Sequence, residues 1–207
     1  MTLAFRALPL GLLALGCTVG EGEGWVRSEH LFVQNCWNGP FDLQPDFFAA
    51  NPARSGALII RVQKGDNLEE FSDGLVVVVT NLAEARAAAG GTLEVGLPPG
   101  VSPPGVPVVF DPDPPRVSLA VYMHQSCHVQ NATVYSIAGT ITFSSLFSGD
   151  PNEDEADERL TEATFDATFA DPRLLVGDAA SDPDVQSRVT GHFRFFFQRG
   201  QPAQPFQ

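Results

Sequence analysis

The stretch Thr161-Glu-Ala-Thr-Phe-Asp-Ala-Thr-Phe169 decides the fold class. Ala163, Phe165, Ala167 and Phe169 alternate with Glu162, Thr164, Asp166 and Thr168. Successive side chains of an extended chain point to opposite faces, so a period of two makes a strand with one dry and one wet face. Val189-Thr-Gly-His-Phe-Arg-Phe-Phe-Phe197 repeats the pattern, with Val189, Gly191, Phe193, Phe195 and Phe197 set against Thr190, His192, Arg194 and Phe196. Working toward the N-terminus, Ile137 to Phe143 places Ile137, Gly139, Ile141 and Phe143 inward, with Thr140 and Thr142 outward. Val117 to Met123 does the same with Val117, Leu119, Val121 and Met123.

Leu75-Val-Val-Val-Val79 is apolar on both faces, as a strand buried between two layers should be. Leu58 to Gln63 alternates, and His30-Leu-Phe-Val-Gln-Asn-Cys-Trp37 reads as a first strand. Eight to ten such strands with turn residues between them predict an all-β fold, an antiparallel two-layer β-sandwich of jelly-roll or immunoglobulin-like type. One short helix is expected over Leu82 to Ala89, with Asn81 as its N-cap and Gly90-Gly91 as its stop. Eight of the 17 prolines fall between Pro98 and Pro115. They favour extended backbone there, with room for an edge strand over Val106 to Phe110.

The N-terminus sets the address. Residues Met1 to Gly16 carry one charge, Arg6, ahead of an apolar run from Ala7 to Leu15. That run falls short of the roughly 20 apolar residues a membrane-spanning helix needs, so it reads as an export signal. Leu12-Leu-Ala-Leu-Gly-Cys17 resembles the lipobox of bacterial lipoprotein signal peptides, in which the cysteine is acylated and becomes the first mature residue. Ordinary signal-peptidase cleavage nearby and a retained buried segment are the alternatives. The organisation expected is a signal peptide over 1–16, a lipidated tether over 17–24, a single β-sandwich domain over 25–200 and a tail over 201–207. Thr18 stands where enteric-type lipoproteins retained at the inner membrane carry aspartate, so the resemblance implies an outer-membrane lipoprotein, periplasmic or surface-exposed.

The formal charge of −13, with a single lysine at Lys64, disfavours binding to nucleic acid. Anionic headgroups repel such a chain, so attachment to a membrane would rest on the acyl chains of Cys17. The three cysteines are Cys17, Cys36 and Cys127. Lipid on the first leaves an even pair in an oxidising compartment, where a Cys36–Cys127 disulfide would persist. Two unrelated buried thiols are the alternative.

The segments Gly139-Thr-Ile-Thr-Phe-Ser-Ser-Leu, Thr164-Phe-Asp-Ala-Thr-Phe-Ala-Asp-Pro-Arg and Val189-Thr-Gly-His-Phe-Arg-Phe-Phe-Phe resemble recurrent strands of uncharacterised small bacterial lipoproteins of myxobacterial type. The resemblance covers the signal and roughly the last 70 residues. It describes strands and carries no catalytic residue with it.

Two clusters hold groups able to bind metal. His124-Gln-Ser-Cys127-His128 offers imidazoles and a thiol for zinc or copper, but a disulfide at Cys127 would withdraw the sulfur. Asp150-Pro-Asn-Glu-Asp-Glu-Ala-Asp-Glu158 opens like a calcium loop, with oxygen ligands at Asp150, Asn152 and Asp154. Glu155 stands where an EF-hand turn needs glycine, and a solvated acidic hairpin loop explains the same residues. No G-x-S-x-G, H-E-x-x-H or Walker-type motif occurs. The leading expectation is therefore a lipid-anchored envelope protein with a non-catalytic structural or binding role and an envelope protein or glycan as partner. A calcium-dependent glycan or adhesion module and a carboxylate-based hydrolase are the alternatives.

Overall fold

A computed structural model describes residues 22–53, 55–65, 69–102, 115–127, 132–175 and 183–198. The strands are β1 (Gly22–Val33), β2 (Trp37–Leu43), β3 (Phe47–Pro52), β4 (Leu58–Lys64), β5 (Asp73–Val79), β6 (Thr92–Gly96), β7 (Val117–Met123), β8 (Thr133–Ser145), β9 (Leu160–Ala170) and β10 (Gln186–Phe196). Two short helices accompany them, α1 (Leu82–Ala87) and α2 (Ala156–Arg159). The protein is all-β in class, and every strand pairing is antiparallel except a two-residue parallel contact of β6 with β7.

The ten strands form one sheet, in the order β2-β1-β10-β9-β8-β6-β7-β5-β4-β3. That differs from the two separate layers expected. Phe48 on the edge strand β3 stacks on Phe195 of β10, their ring centroids 5.8 Å apart. In a flat sheet these strands would stand seven spacings apart, roughly 33 Å at about 4.8 Å each. The sheet is therefore curled into a half-barrel, and its concave face holds the core. Leu58, Ile60 and Val62 of β4, Leu75, Val77 and Val79 of β5, and Phe193 and Phe195 of β10 are all buried there. At about 25 cal/mol per Å² of apolar area removed from water, this concave surface is what drives the curl.

β8 stays paired with β9 on both sides of a bulge, the kind of irregularity that bends a strand. Its register shifts between Ser136 and Ala138, where an extra residue enters the strand. Val134 and Ser136 are buried before that bulge, Ile141 and Phe143 after it, so the inward parity flips from even to odd. Ile137, expected inward from simple alternation, is only half-buried for that reason. Gly139 follows at φ 131°, and a Cβ there would lie 2.4 Å from the Cα of Ala167 on β9. Only glycine permits so close an approach in that conformation.

Other differences have local causes. His30 to Trp37 is not one strand: a turn over 34–36, with Asn35 at φ 61°, separates β1 from β2. β1 starts at Gly22, three residues before Trp25, because Gly22 to Gly24 pair with Phe195 to Phe193. α1 is capped as expected, Asn81 accepting from the Glu84 amide at 3.2 Å. α2 is a second helix, a single turn inside the acidic segment, where a loop was expected. Val106 to Phe110 lies outside the described residues. Among the described residues no helix is long and apolar enough to cross a membrane.

Candidate functional site

Cys36 closes the β1–β2 turn, its amide donating to Val33 O at 3.0 Å. Cys127 follows β7 in a second turn, its amide donating to Met123 O at 2.8 Å. The two cysteines form a disulfide across 91 residues with their Cα atoms 5.6 Å apart. It ties the hairpin at one edge of the sheet to β7, seventh in the strand order, and so holds one end of the curl closed.

A polar cluster lies at the same end of the sheet as this bridge. Asp73, almost fully buried at the start of β5, accepts from the Gln125 and Ser126 amides at 3.0 Å each and from Ser126 Oγ at 2.5 Å. These bonds fix the turn that delivers Cys127. On the convex face, Tyr122 lies over Gly74 and donates its hydroxyl to Gln63 Oε1 at 2.8 Å, while Gln63 Nε2 donates to Gly65 O at 2.8 Å. Burial, and then the charge of Glu69, push the Tyr122 phenol far above its ordinary value.

The described part of the chain between β4 and β5 lies against this face. Its 3₁₀ turn, Glu69–Phe71, is held by an ion pair from the buried Arg61 to Glu69 at 2.6 Å. His124 bonds Glu69 O through Nδ1 at 2.8 Å and Thr133 Oγ1 through Nε2 at 3.2 Å. Tyr135, on β8 beside Ala120 of β7, is also raised, by burial and then by Glu69 and Asp171. Chemically, this cluster holds loops against the sheet. Both nitrogens of His124 and the hydroxyl of Tyr122 are engaged by neighbours, and Cys127, being oxidised, offers no thiolate for a metal.

The acidic segment sits at the opposite end of the half-barrel. Asp150 Oδ1 accepts from the Asn152 amide at 2.8 Å and faces Asn152 Nδ2 at 3.3 Å, an Asx turn in which Asn152 presents a donor to Asp150. Asp154 is exposed, and the Glu155 amide donates to Glu153 Oε1 at 3.0 Å. Glu158 pairs with Arg86 of α1, which also donates to Leu146 O at 2.5 Å. Among the described residues no three His, Cys, Asp or Glu side chains gather closely enough to hold a metal ion.

Of the residues singled out in the sequence, Cys36 and Cys127 come together. Asp150, Asn152 and Asp154 share a turn, and Cys17 and His128 lie outside the described residues. Asp73, Gln63 and Tyr122 escape sequence reading. Gln63 and Tyr122 stand at outward strand positions, which solvent exposure explains equally well, whereas Asp73 shares the inward parity of Leu75, Val77 and Val79 at the strand's start. No family model, curated protein or solved structure matches this chain.

Proposed function

We propose that this chain is a lipid-anchored protein of the bacterial cell envelope, attached to the outer membrane by acyl chains on Cys17 and serving a non-catalytic structural or binding role. The observation that carries this reading is the Cys36–Cys127 disulfide. It accounts for both other cysteines of the chain, leaves Cys17 for acylation, and belongs to an oxidising compartment reached by export. The lipobox-like Leu12-Leu-Ala-Leu-Gly-Cys17 and the resemblance to small envelope lipoproteins support the same address.

The engagement of His124, Arg61, Tyr122 and Asp73 in holding loops supports a scaffold rather than a reaction centre. In this role the half-barrel's two arms, packed across a common core, act as the layers of a β-sandwich do: a rigid body that presents its loops. The test compares the full chain with Cys17→Ser, expressed in a bacterium that processes lipoproteins. The wild-type chain should partition into the detergent phase of a cloud-point extraction, and its N-terminal peptide should carry the mass of a diacylglyceryl group. C17S should remain aqueous. Equal partitioning of the two, with an unmodified Cys17, would refute the proposal.

A further inference from the structure

We infer that, on the lipid-anchor reading, the half-barrel is held by its Gly22 end, so that the acidic segment and α2 lie nearer the bilayer than the disulfide end does. The argument starts from β1. It begins at Gly22, next to Phe195 of β10, and ends at Val33, in the turn that carries Cys36. Its 12 residues span roughly 35 Å at about 3.3 Å each, less what the bend takes.

Cys17 precedes Gly22 by five peptide steps, a reach of at most about 17 Å. The anchor therefore holds the Gly22 end close to the membrane and leaves the Cys36 end free to stand clear of it. What lies beside Gly22 follows from the register. Phe195 opposes Gly22 on one side and Thr161 on the other. The Phe197 amide donates to Arg159 O at 2.8 Å, and Arg159 Nε donates back to Phe197 O at 2.9 Å. The exposed Asp150, Asp154, Glu155 and Asp157 are thus on the anchor side.

At the far end, Lys64, Asp73 and Met123 are aligned across β4, β5 and β7, and the 3₁₀ turn with Phe71 lies beyond them. Phe71 is the one large hydrophobic side chain exposed among the described residues, at 64%. On this geometry it points away from the bilayer and does not serve as a membrane wedge.

The experiment uses the full lipidated chain in phosphatidylcholine vesicles that carry an energy-transfer acceptor on a fraction of headgroups. A donor dye is placed at Asp154→Cys or at Phe71→Cys, both exposed positions, with Asn152→Cys as a second anchor-side probe. Transfer from positions 154 and 152 should exceed transfer from position 71 several-fold. Equal transfer would mean that the domain lies flat, and the reverse order would mean that it is inverted; either overturns the orientation. The N-terminal peptide mass is measured on the same preparation. If Cys17 is unmodified there, the lipid-anchor reading itself has failed, and the orientation falls with it.

Discussion

Asp73 is the residue on which the disulfide end turns. One carboxylate receives three donors from the turn at 125–126. Hydrogen bonds to a charged group contribute about 1.5–3 kcal/mol each at most, and at the exposed Gln125 and Ser126 water replaces part of what is lost with the shared acceptor. Asp73→Ala should lower stability by about 3 kcal/mol, read as a drop in the urea midpoint with an unchanged slope. Tyr122 gives a prediction at alkaline pH. Its folded-state pKa lies above that of the unfolded chain, so the folded protein holds the phenolic proton more tightly. Stability from this group is fully present below about pH 10 and is lost as pH rises beyond it. Tyr122→Phe should cost about 1 kcal/mol at neutral pH, by removing the donor to Gln63, and should flatten the alkaline loss in pH-dependent urea melts.

Strand pairing is where the fold is most sensitive. β8 carries the bulge and Gly139, and β9 approaches it so closely that a methyl group at position 139 would overlap the Ala167 backbone. Gly139→Ala should destabilise by about 2–4 kcal/mol, since it combines a strained φ with a backbone clash that no rotamer relieves. Equilibrium unfolding of the purified variant measures this, and a cost under about 0.5 kcal/mol would contradict the bend assigned to this position. Surface pairs between neighbouring strands matter mainly in acid. Asp166 is held below its ordinary value by the hydrogen bond from Arg188, which outweighs the opposing effect of burial and is helped by that residue's charge. At Asp46, burial raises the carboxyl, but hydrogen bonds from Lys64 and Gly65 and the lysine charge outweigh it. Both folded pKa values are depressed, so these pairs stabilise the fold above the carboxylate range and cease to do so as pH falls below about 4. Thermal melts between pH 6 and pH 3 should show this loss, and it should shrink in Asp166→Asn.

For the molecule as a whole, the Cys36–Cys127 bridge is the largest single constraint on the unfolded chain. A loop of 91 residues is worth about 4–5 kcal/mol in the chain-entropy model. Reduction, or the paired Cys36→Ser and Cys127→Ser variant, should lower the urea midpoint accordingly and should loosen the end held by Asp73 first. Hydrogen exchange would detect that as early loss of protection over the turns at 34–36 and 124–127, with β9 and β10 still protected. Uniform loss across the sheet would mean instead that the half-barrel unfolds as one unit.

Alternation by itself determined which residues of β9 and β10 face the core, because their pairing runs in register without a bulge from Phe196 opposite Leu160 to Gln186 opposite Ala170. The helix start at Asn81 was equally legible, since a cap is a local hydrogen bond between residues three apart. Cysteine arithmetic pointed to Cys36 and Cys127, given a lipid on Cys17. Tertiary structure alone decided that the strands make one curled sheet rather than two layers. Closure depends on contacts such as Phe48 with Phe195, which lie far apart in the sequence and leave no periodic trace in it. The parity flip in β8 was hidden for a related reason: one inserted residue reverses every later side chain, and only the partner strand shows where it enters. The polar layer around Tyr122 was hidden as well, because an outward strand position reads as solvent until the loop that covers it is known.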